Sequence, residues 1–170
     1  MRIYVASSWR NDHQPKAVSA LRALGHQVYD FKDSDGFSWK ETSGATCADR
    51  HCPLRGFTHF TDHQLCSDSN WVPPQPEESW TFGDWQDALV HPAAERGFAR
   101  DMSALTTAHA CVLVLPSGRS AHLEAGYAIG QGKPTAIWVP EYDTPDLMVK
   151  MADFVTDALD DILGWIGGAS

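Results

Sequence analysis

An unbroken apolar run near the middle of the chain constrains the fold more than any other feature. Residues 110–115 read ACVLVL, and a strand of this composition has to be buried on both faces. Such strands occur in parallel sheets that helices cover on both sides. The run ends in the turn PSGRS (116–120), after which a helix is predicted from Ser120 to Gln131, closed by Gly132. This unit predicts an α/β protein.

The alternation of strands and helices extends through most of the chain. Further strands are predicted at Arg2 to Ala6, His26 to Phe31, Thr135 to Val139 and Phe154-Val155. Further helices are predicted at Asn11 to Leu24, Phe82 to Leu89, Pro92 to Ala108, Asp146 to Ala152 and Thr156 to Ile166. The pattern predicts a single domain over 1–170, with an open, doubly wound, mostly parallel sheet of the Rossmann or flavodoxin type. Its ligand is expected at the carboxyl ends of the strands, near the switch point.

A long polar stretch interrupts this pattern after the second strand. Residues 32–79 hold several prolines and show no periodicity, and a structureless loop of this length is uncommon. We interpret 41–79 as an inserted loop, a lid over the site, a small subdomain or a disordered segment. Four of its side chains offer the ligands of a tetrahedral structural zinc, although not at the spacing of a standard finger: Cys47, Cys52, His63 and Cys66.

Composition excludes several classes of protein. The 170 residues carry a net charge of −9, which argues against binding a nucleic acid polymer through released counterions. No apolar run reaches the roughly 18–20 residues that span a bilayer, so no membrane contact is expected. The apolar stretch at the N-terminus is too short for a secretory signal. We therefore expect a cytoplasmic protein with a small-molecule partner.

The turn after the central strand is the first candidate for chemistry. Ser117, Gly118 and Ser120 precede the helix that carries Glu124, and backbone N–H groups at a helix start bind anions. The residues around Glu124 are small, so this helix can approach its neighbours closely. An enclosed, ionised carboxylate there suits a nucleophile or a stabiliser of an oxocarbenium ion. An acidic residue can equally complement the helix dipole without any ligand.

A second acid, on the helix predicted at Pro92 to Ala108, lies where an apolar residue is expected. Asp101 shares one helical face with four apolar residues, Ala94, Phe98, Leu105 and Ala108, which is costly for an acid unless it is paired or lines a site.

After the first strand, Ser8 and Arg10 precede a helix start and could hold a phosphate or carboxylate. Alternatively, Ser8 or Asn11 only caps that helix and Arg10 is solvated. Tyr4 faces the side of its strand opposite to Ile3 and Val5, so its hydroxyl could reach a carboxylate at the site. The same pattern fits equally well a tyrosine that only packs in the core.

The chain resembles the nucleoside 2-deoxyribosyltransferase-like superfamily in three stretches, which follow one another in the order and spacing of that superfamily. They are IYVASSWR, RDMSALTTAHACVLVLP and GRSAHLEAGYAIGQGKP. Its members include deoxyribosyltransferases, deoxynucleoside 5′-monophosphate N-glycosidases and CMP-type hydrolases. The resemblance covers the chain except about residues 41–79.

The resemblance implies a role for each candidate residue. Glu124 matches the catalytic glutamate, Asp101 an acid that assists at the sugar and base, and Tyr4 a tyrosine that orients the glutamate. Ser8 and Arg10 resemble the phosphate-binding serine and arginine of the monophosphate-cleaving members. Ser117 or Ser120 resembles a further residue that binds the phosphate.

The activity implied is hydrolysis of the base–sugar bond of a (deoxy)nucleoside 5′-monophosphate, with no cofactor required. A deoxyribosyltransferase that exchanges bases is the second interpretation, and a non-catalytic nucleotide sensor is the third. Members of the superfamily imply a homodimer or higher homo-oligomer, in which a neighbouring subunit completes the site. A GxGxxG fingerprint is absent, which disfavours a classical NAD dehydrogenase.

Overall fold

The chain forms two compact units, seen in a computed structural model that describes residues 1–33, 81–142 and 144–168. The first unit joins Met1–Ser34 to Met102–Ser170, and the second is Asp35–Asp101. The predicted insert at 41–79 and its four possible zinc ligands lie outside the described residues, so the interpretation of that segment stays a prediction.

Five parallel strands form the sheet of the first unit, in the order β2-β1-β3-β4-β5. They are β1 (Arg2–Ala6), β2 (Gln27–Tyr29), β3 (Ala110–Val114), β4 (Thr135–Trp138) and β5 (Phe154–Thr156). The order runs outward in opposite directions from β1 and β3, which is the flavodoxin-like arrangement of a doubly wound sheet. The predicted fold class is confirmed, and the switch point lies between β1 and β3.

Helices alternate with these strands along the chain. They are α1 (Gln14–Ala23), α2 (Phe82–Leu89), α3 (Pro92–Thr107), α4 (Arg119–Gly130) and α5 (Leu159–Gly168). The helix predicted at 146–152 is instead a short 3-10 helix, Leu147–Met151. The last helix begins later than predicted, because Thr156 is still paired in β5. Within the described ranges, no helix is long and apolar enough to cross a membrane.

The sheet of the first unit is buried on both faces. On one face α1 and α5 pack over Ile3, Val5 and their neighbours in β3 and β4. On the other face the alanines of α4 and the end of α3 pack over Tyr4, Ala6 and Cys111. The predicted alternation of Tyr4 with Ile3 and Val5 is confirmed. Small residues along α4 let its backbone lie close to the strands.

The predicted apolar face of α3 is only partly correct. Ala94, Leu105 and Ala108 are buried as expected, but Phe98 is 64% exposed. Gly97 is the buried residue at that turn. Glycine and phenylalanine are adjacent on the helix, so a pattern that looks only for large apolar residues selects the wrong one.

Candidate active site

The loops that follow β1 and β3 meet at the switch point, as the doubly wound fold predicts. The hydroxyl of Ser7 donates to the carbonyl oxygen of Val114 at 2.9 Å. The side-chain amide of Asn11 donates to the carbonyls of Val114 and Pro116, at 3.1 and 2.9 Å. The chain separates these groups by more than 100 residues. The two predicted serine-containing loops therefore belong to one edge of the sheet.

Asn11 also holds the turn that leads into helix α1. Its Oδ1 accepts from the backbone N–H groups of His13 and Gln14, at 2.7 and 3.0 Å. The residue is only 3% exposed, and both its donors and its acceptor are used. The sequence predicts Asn11 at most as a helix cap, whereas in the structure the same amide also clamps the loop after β3. A lone Asn before a helix gives no signal of its second partner.

The end of β2 is tied to the same loop. Gln14 Nε2 donates to Asp30 Oδ1 at 2.7 Å, and this oxygen also accepts from the backbone N–H of Lys32 at 2.9 Å. Lys32 Nζ then donates to the carbonyl of Asn11 at 2.8 Å. Three strand ends are therefore joined by one hydrogen-bonded network, which holds the loop after β1 from both sides.

Ser8 and Arg10 lie on the outer part of the loop after β1. The backbone N–H of Arg10 donates to Ser8 Oγ at 3.3 Å. The Arg10 side chain is exposed, and its guanidinium has no partner in the part of the chain that the structure describes. Between them Trp9 is 50% exposed and meets Phe31 edge to face, with ring centroids 4.9 Å apart. The loop thus presents hydroxyl, guanidinium and indole groups next to one another.

The start of α4 presents the second group of donors. Gly118 caps this helix with an extended backbone, φ −84° and ψ 177°. A Cβ added at Gly118 would have nothing within 4 Å. Ser117 is half-buried and Ser120 is exposed, on either side of it. The first N–H groups of α4 have no partner within the helix, so this turn has the donors and the open space that an anion needs.

His122 is a residue of this turn that sequence analysis missed. Its Nδ1 lies 3.0 Å from the carbonyl oxygen of Gly118 and 3.3 Å from Ser117 Oγ. The only signal was its position four residues after Gly118, one helical turn away. That spacing brings the imidazole back over the helix start.

Helix α4, which carries Glu124, packs on the face of the sheet that Tyr4 occupies. Tyr4 is 1% exposed, pairs with Cys111 on the neighbouring strand and stacks on Tyr29 at 5.3 Å between ring centroids. Burial raises the pKa of the Cys111 thiol to about 12, and the Glu124 carboxylate adds to the rise by disfavouring the thiolate. The half-buried Glu124 is therefore close enough to act electrostatically on the strand next to Tyr4.

Asp101 is the last residue of the second unit and is half-buried on α3. Its predicted role as an acid at the sugar and base stays a prediction.

A cavity of about 520 Å³ opens at the opposite edge of the sheet, at the amino ends of β4 and β5. Its two charged lining groups are already used: Lys133 Nζ donates to the carbonyls of Thr106 and Ala108, at 2.7 and 2.6 Å, and Asp153 Oδ2 accepts from the N–H of Thr135 at 2.8 Å. These groups satisfy backbone groups at the ends of a helix and a strand.

The fold is similar to that of a solved 2-deoxyribosyltransferase from the psychrotolerant bacterium Bacillus psychrosaccharolyticus, with a TM-score of 0.53 and 19% sequence identity. The match covers 95% of this chain and 90% of that chain. No family model and no curated protein sequence matches the chain. The predicted resemblance is thereby confirmed at the level of the fold, which is nucleoside 2-deoxyribosyltransferase-like.

Proposed function

We propose that this chain is an N-glycosidase that hydrolyses the base–sugar bond of a (deoxy)nucleoside 5′-monophosphate, with Glu124 as its catalytic carboxylate. The observation that carries the proposal is the meeting of two donor-rich loops at the switch point, where the second loop opens the helix that bears Glu124. The likeness to a 2-deoxyribosyltransferase supports a substrate of the nucleoside class.

The chemistry follows from the polarity of the bond that breaks. As the C1′–N bond opens, its electron pair leaves with the base and C1′ becomes oxocarbenium-like. Glu124 stabilises that positive charge or forms a transient ester with C1′, and Tyr4 orients the carboxylate. Asp101 supplies the proton that the departing base takes up. Water then adds its hydroxyl to C1′, which breaks the C1′–O bond to Glu124 where an ester has formed. The proton of that water passes to Asp101 and restores the acid, so no cofactor or metal is required.

The 5′-phosphate is assigned to the gap between the two loops. Ser8 and Arg10 would donate from the loop after β1, and Ser117, Gly118 and Ser120 from the start of α4. Charge-assisted hydrogen bonds of this kind contribute roughly 1.5–3 kcal/mol each. The exposed guanidinium of Arg10 is free to move towards a dianion without breaking a bond within the described residues.

A base-exchanging deoxyribosyltransferase is the second candidate, because the similar solved structure is an enzyme of that name. It would use the same carboxylate but pass the sugar to a second base instead of to water. A nucleotide sensor that binds without cleaving is the third.

The deciding experiment incubates the purified chain with a panel of nucleotides and nucleosides, with and without an acceptor base, and measures free and exchanged base by chromatography. We expect free base from a monophosphate, and a loss of the order of 10²-fold or more in Glu124→Gln, because an amide cannot stabilise charge at C1′. Glu95→Gln, at an exposed position of the second unit, is the matched control. Activity of Glu124→Gln within a few-fold of the parent would exclude that role.

The same assay separates hydrolase from transferase. Arg10→Ala should reduce kcat/KM for the monophosphate by about one to two orders of magnitude and leave the bare nucleoside little changed. Arg96→Ala, at another exposed arginine, should affect neither substrate. Equal activity on both substrates, together with a harmless Arg10→Ala, would favour the deoxyribosyltransferase. Binding without any base release would favour the sensor.

We further propose that the chain acts as a homodimer or higher homo-oligomer. Leu123 and Tyr127 lie one turn apart on the helix that carries Glu124, and they are 76% and 37% exposed. An apolar pair at that spacing is suited to packing against another copy. Light scattering should give at least twice the chain mass, and Leu123→Arg should give a monomer with reduced activity. A fully active monomer would contradict the proposal.

A further inference from the structure

The imidazole of His122 makes a contact that requires a hydrogen on its Nδ1. A carbonyl oxygen only accepts hydrogen bonds, and Nδ1 of His122 lies 3.0 Å from the carbonyl oxygen of Gly118. Nδ1 must therefore carry a hydrogen. The same carbonyl also accepts from the backbone N–H of His122, at 3.5 Å. His122 thus holds the Gly118 carbonyl through both its backbone and its side chain.

Two consequences follow for the neighbouring donors. Ser117 Oγ lies 3.3 Å from the protonated Nδ1 and can only accept from it, so its own O–H points elsewhere. The Gly118–Arg119 peptide is trans, so its N–H points opposite to its C=O. Anchoring the Gly118 carbonyl towards the helix therefore directs the N–H of Arg119 away from it, out of the helix start.

We propose that His122 is a positioning residue that directs the Ser117 hydroxyl and the Arg119 N–H towards the 5′-phosphate of the substrate. This inference rests on the proposed function, and it adds a residue that acts through two others without touching the reacting atoms. The alternative is that His122 only stabilises the first turn of α4. A structural role of that kind would affect monophosphate and nucleoside equally.

The matched variants are His122→Asn and His122→Gln. Asn places an N–H group at the same number of bonds from the backbone as Nδ1, whereas Gln places it one bond further. His122→Ala and Ser117→Ala complete the set, with their double variant. We expect His122→Ala and His122→Gln to lose about tenfold or more in kcat/KM on the monophosphate and little on the nucleoside, and His122→Asn to keep most of the parent activity.

The double variant tests whether the two residues act together. If His122 acts through Ser117 and Arg119, Ser117→Ala should add little to the loss already caused by His122→Ala. Fully multiplicative losses, or equal losses on monophosphate and nucleoside, would overturn the proposal.

Two measurements do not depend on catalysis, so they separate failure of this inference from failure of the proposed function. Nitrogen-15 NMR should show a proton on Nδ1 of His122 in the ligand-free chain, and a neutral ring with its proton on Nε2 would overturn the inference. Titration with inorganic phosphate should shift the Arg119 amide resonance in the parent and in His122→Asn, but not in His122→Ala. A shift that survives His122→Ala, or one that is absent from the parent, would refute the positioning role even if base release is confirmed.

Discussion

Asn11 allows a prediction whose size can be worked out bond by bond. In Asn11→Ala four hydrogen bonds are lost, two to the carbonyls of Val114 and Pro116 and two from the backbone N–H groups of His13 and Gln14. The Val114 carbonyl keeps its bond from Ser7, and the Pro116 carbonyl can be reached by water because Pro116 is exposed. At about 0.5–1.5 kcal/mol for each net bond, four bonds amount to about 2–6 kcal/mol. Because both carbonyls keep another partner or water, we expect a loss in the lower part of that range, about 2–4 kcal/mol.

Asn11→Asp isolates the clamp from the helix cap. An aspartate still accepts from the N–H groups of α1, but it replaces the amide with an oxygen that faces two carbonyl oxygens. We expect a loss at neutral pH at least as large as that of Asn11→Ala. Burial and these carbonyls disfavour the ionised form, so the pKa of this aspartate should be raised in the folded chain above its unfolded value of about 3.9. The deficit should therefore shrink as the pH falls, because the protonated acid can donate to one carbonyl.

Urea denaturation followed by circular dichroism measures both variants, with Ser19→Ala on the exposed side of α1 as the control. For a chain of this size a loss of about 2–4 kcal/mol corresponds to a fall in Tm of roughly 5–15 °C. The reasoning is refuted if Asn11→Ala unfolds within about 0.5 kcal/mol of the parent, which is the range of an ordinary surface change. It is also refuted if Asn11→Asp matches the parent at pH 7.

Three further outcomes are expected. Burial and the Glu124 carboxylate raise the pKa of Cys111 to about 12, so peptide mapping should find its thiol unmodified by iodoacetamide in the native chain. The free energy of unfolding should fall as the pH rises from about 8.5 towards that value, because the unfolded thiol loses its proton first. Fast alkylation of the native chain would contradict the burial. A Cβ at Gly118 meets open space, so Gly118→Ala should lower the free energy of unfolding by less than about 1 kcal/mol. It should nevertheless reduce kcat/KM for the monophosphate about tenfold. An equal loss on the nucleoside would contradict a phosphate at this turn. If residues 41–79 hold zinc, mass spectrometry should find about one metal ion per chain, and Cys47→Ser or Cys66→Ser should lose it. A parent protein that contains no metal, and whose Tm is unchanged by a chelator, would contradict the site.

The buried strands were the most predictable part of the fold. β1 was predicted to the residue and β3 to within one residue, because their apolar runs are bounded by a clear change of composition. β2 was predicted from His26 to Phe31 but extends only over Gln27–Tyr29. Its end is set by Asp30, whose carboxylate bonds the side chain of Gln14 on α1. A strand boundary that depends on a residue elsewhere in the chain has no local signal.

Helix α1 shows the same limit at its start. A helix from Asn11 was predicted, and the structure begins it at Gln14, because the Asn11 side chain takes the first N–H groups and leaves 11–13 as a turn. The candidate site could be predicted only where its residues are adjacent in sequence, as in the turn 116–120, and its role stays a prediction. The contacts that hold it together, such as the clamp on Val114, join distant segments and become visible only in the folded chain.

The two loops at the switch point use separate atoms for folding and for the proposed binding. Asn11 engages the carbonyls of Val114 and Pro116, whereas His122 contacts the carbonyl of Gly118, which we propose directs the N–H group of the Gly118–Arg119 peptide outward. Because the clamp consumes acceptors and the proposed phosphate site requires donors, the two networks do not compete for the same groups. Loss of the clamp should therefore reduce stability and all activities together, whereas loss of His122 should reduce only the preference for a phosphate. A site built on a stable turn of this kind can keep its donors unpaired, since the carbonyls beside them already have partners.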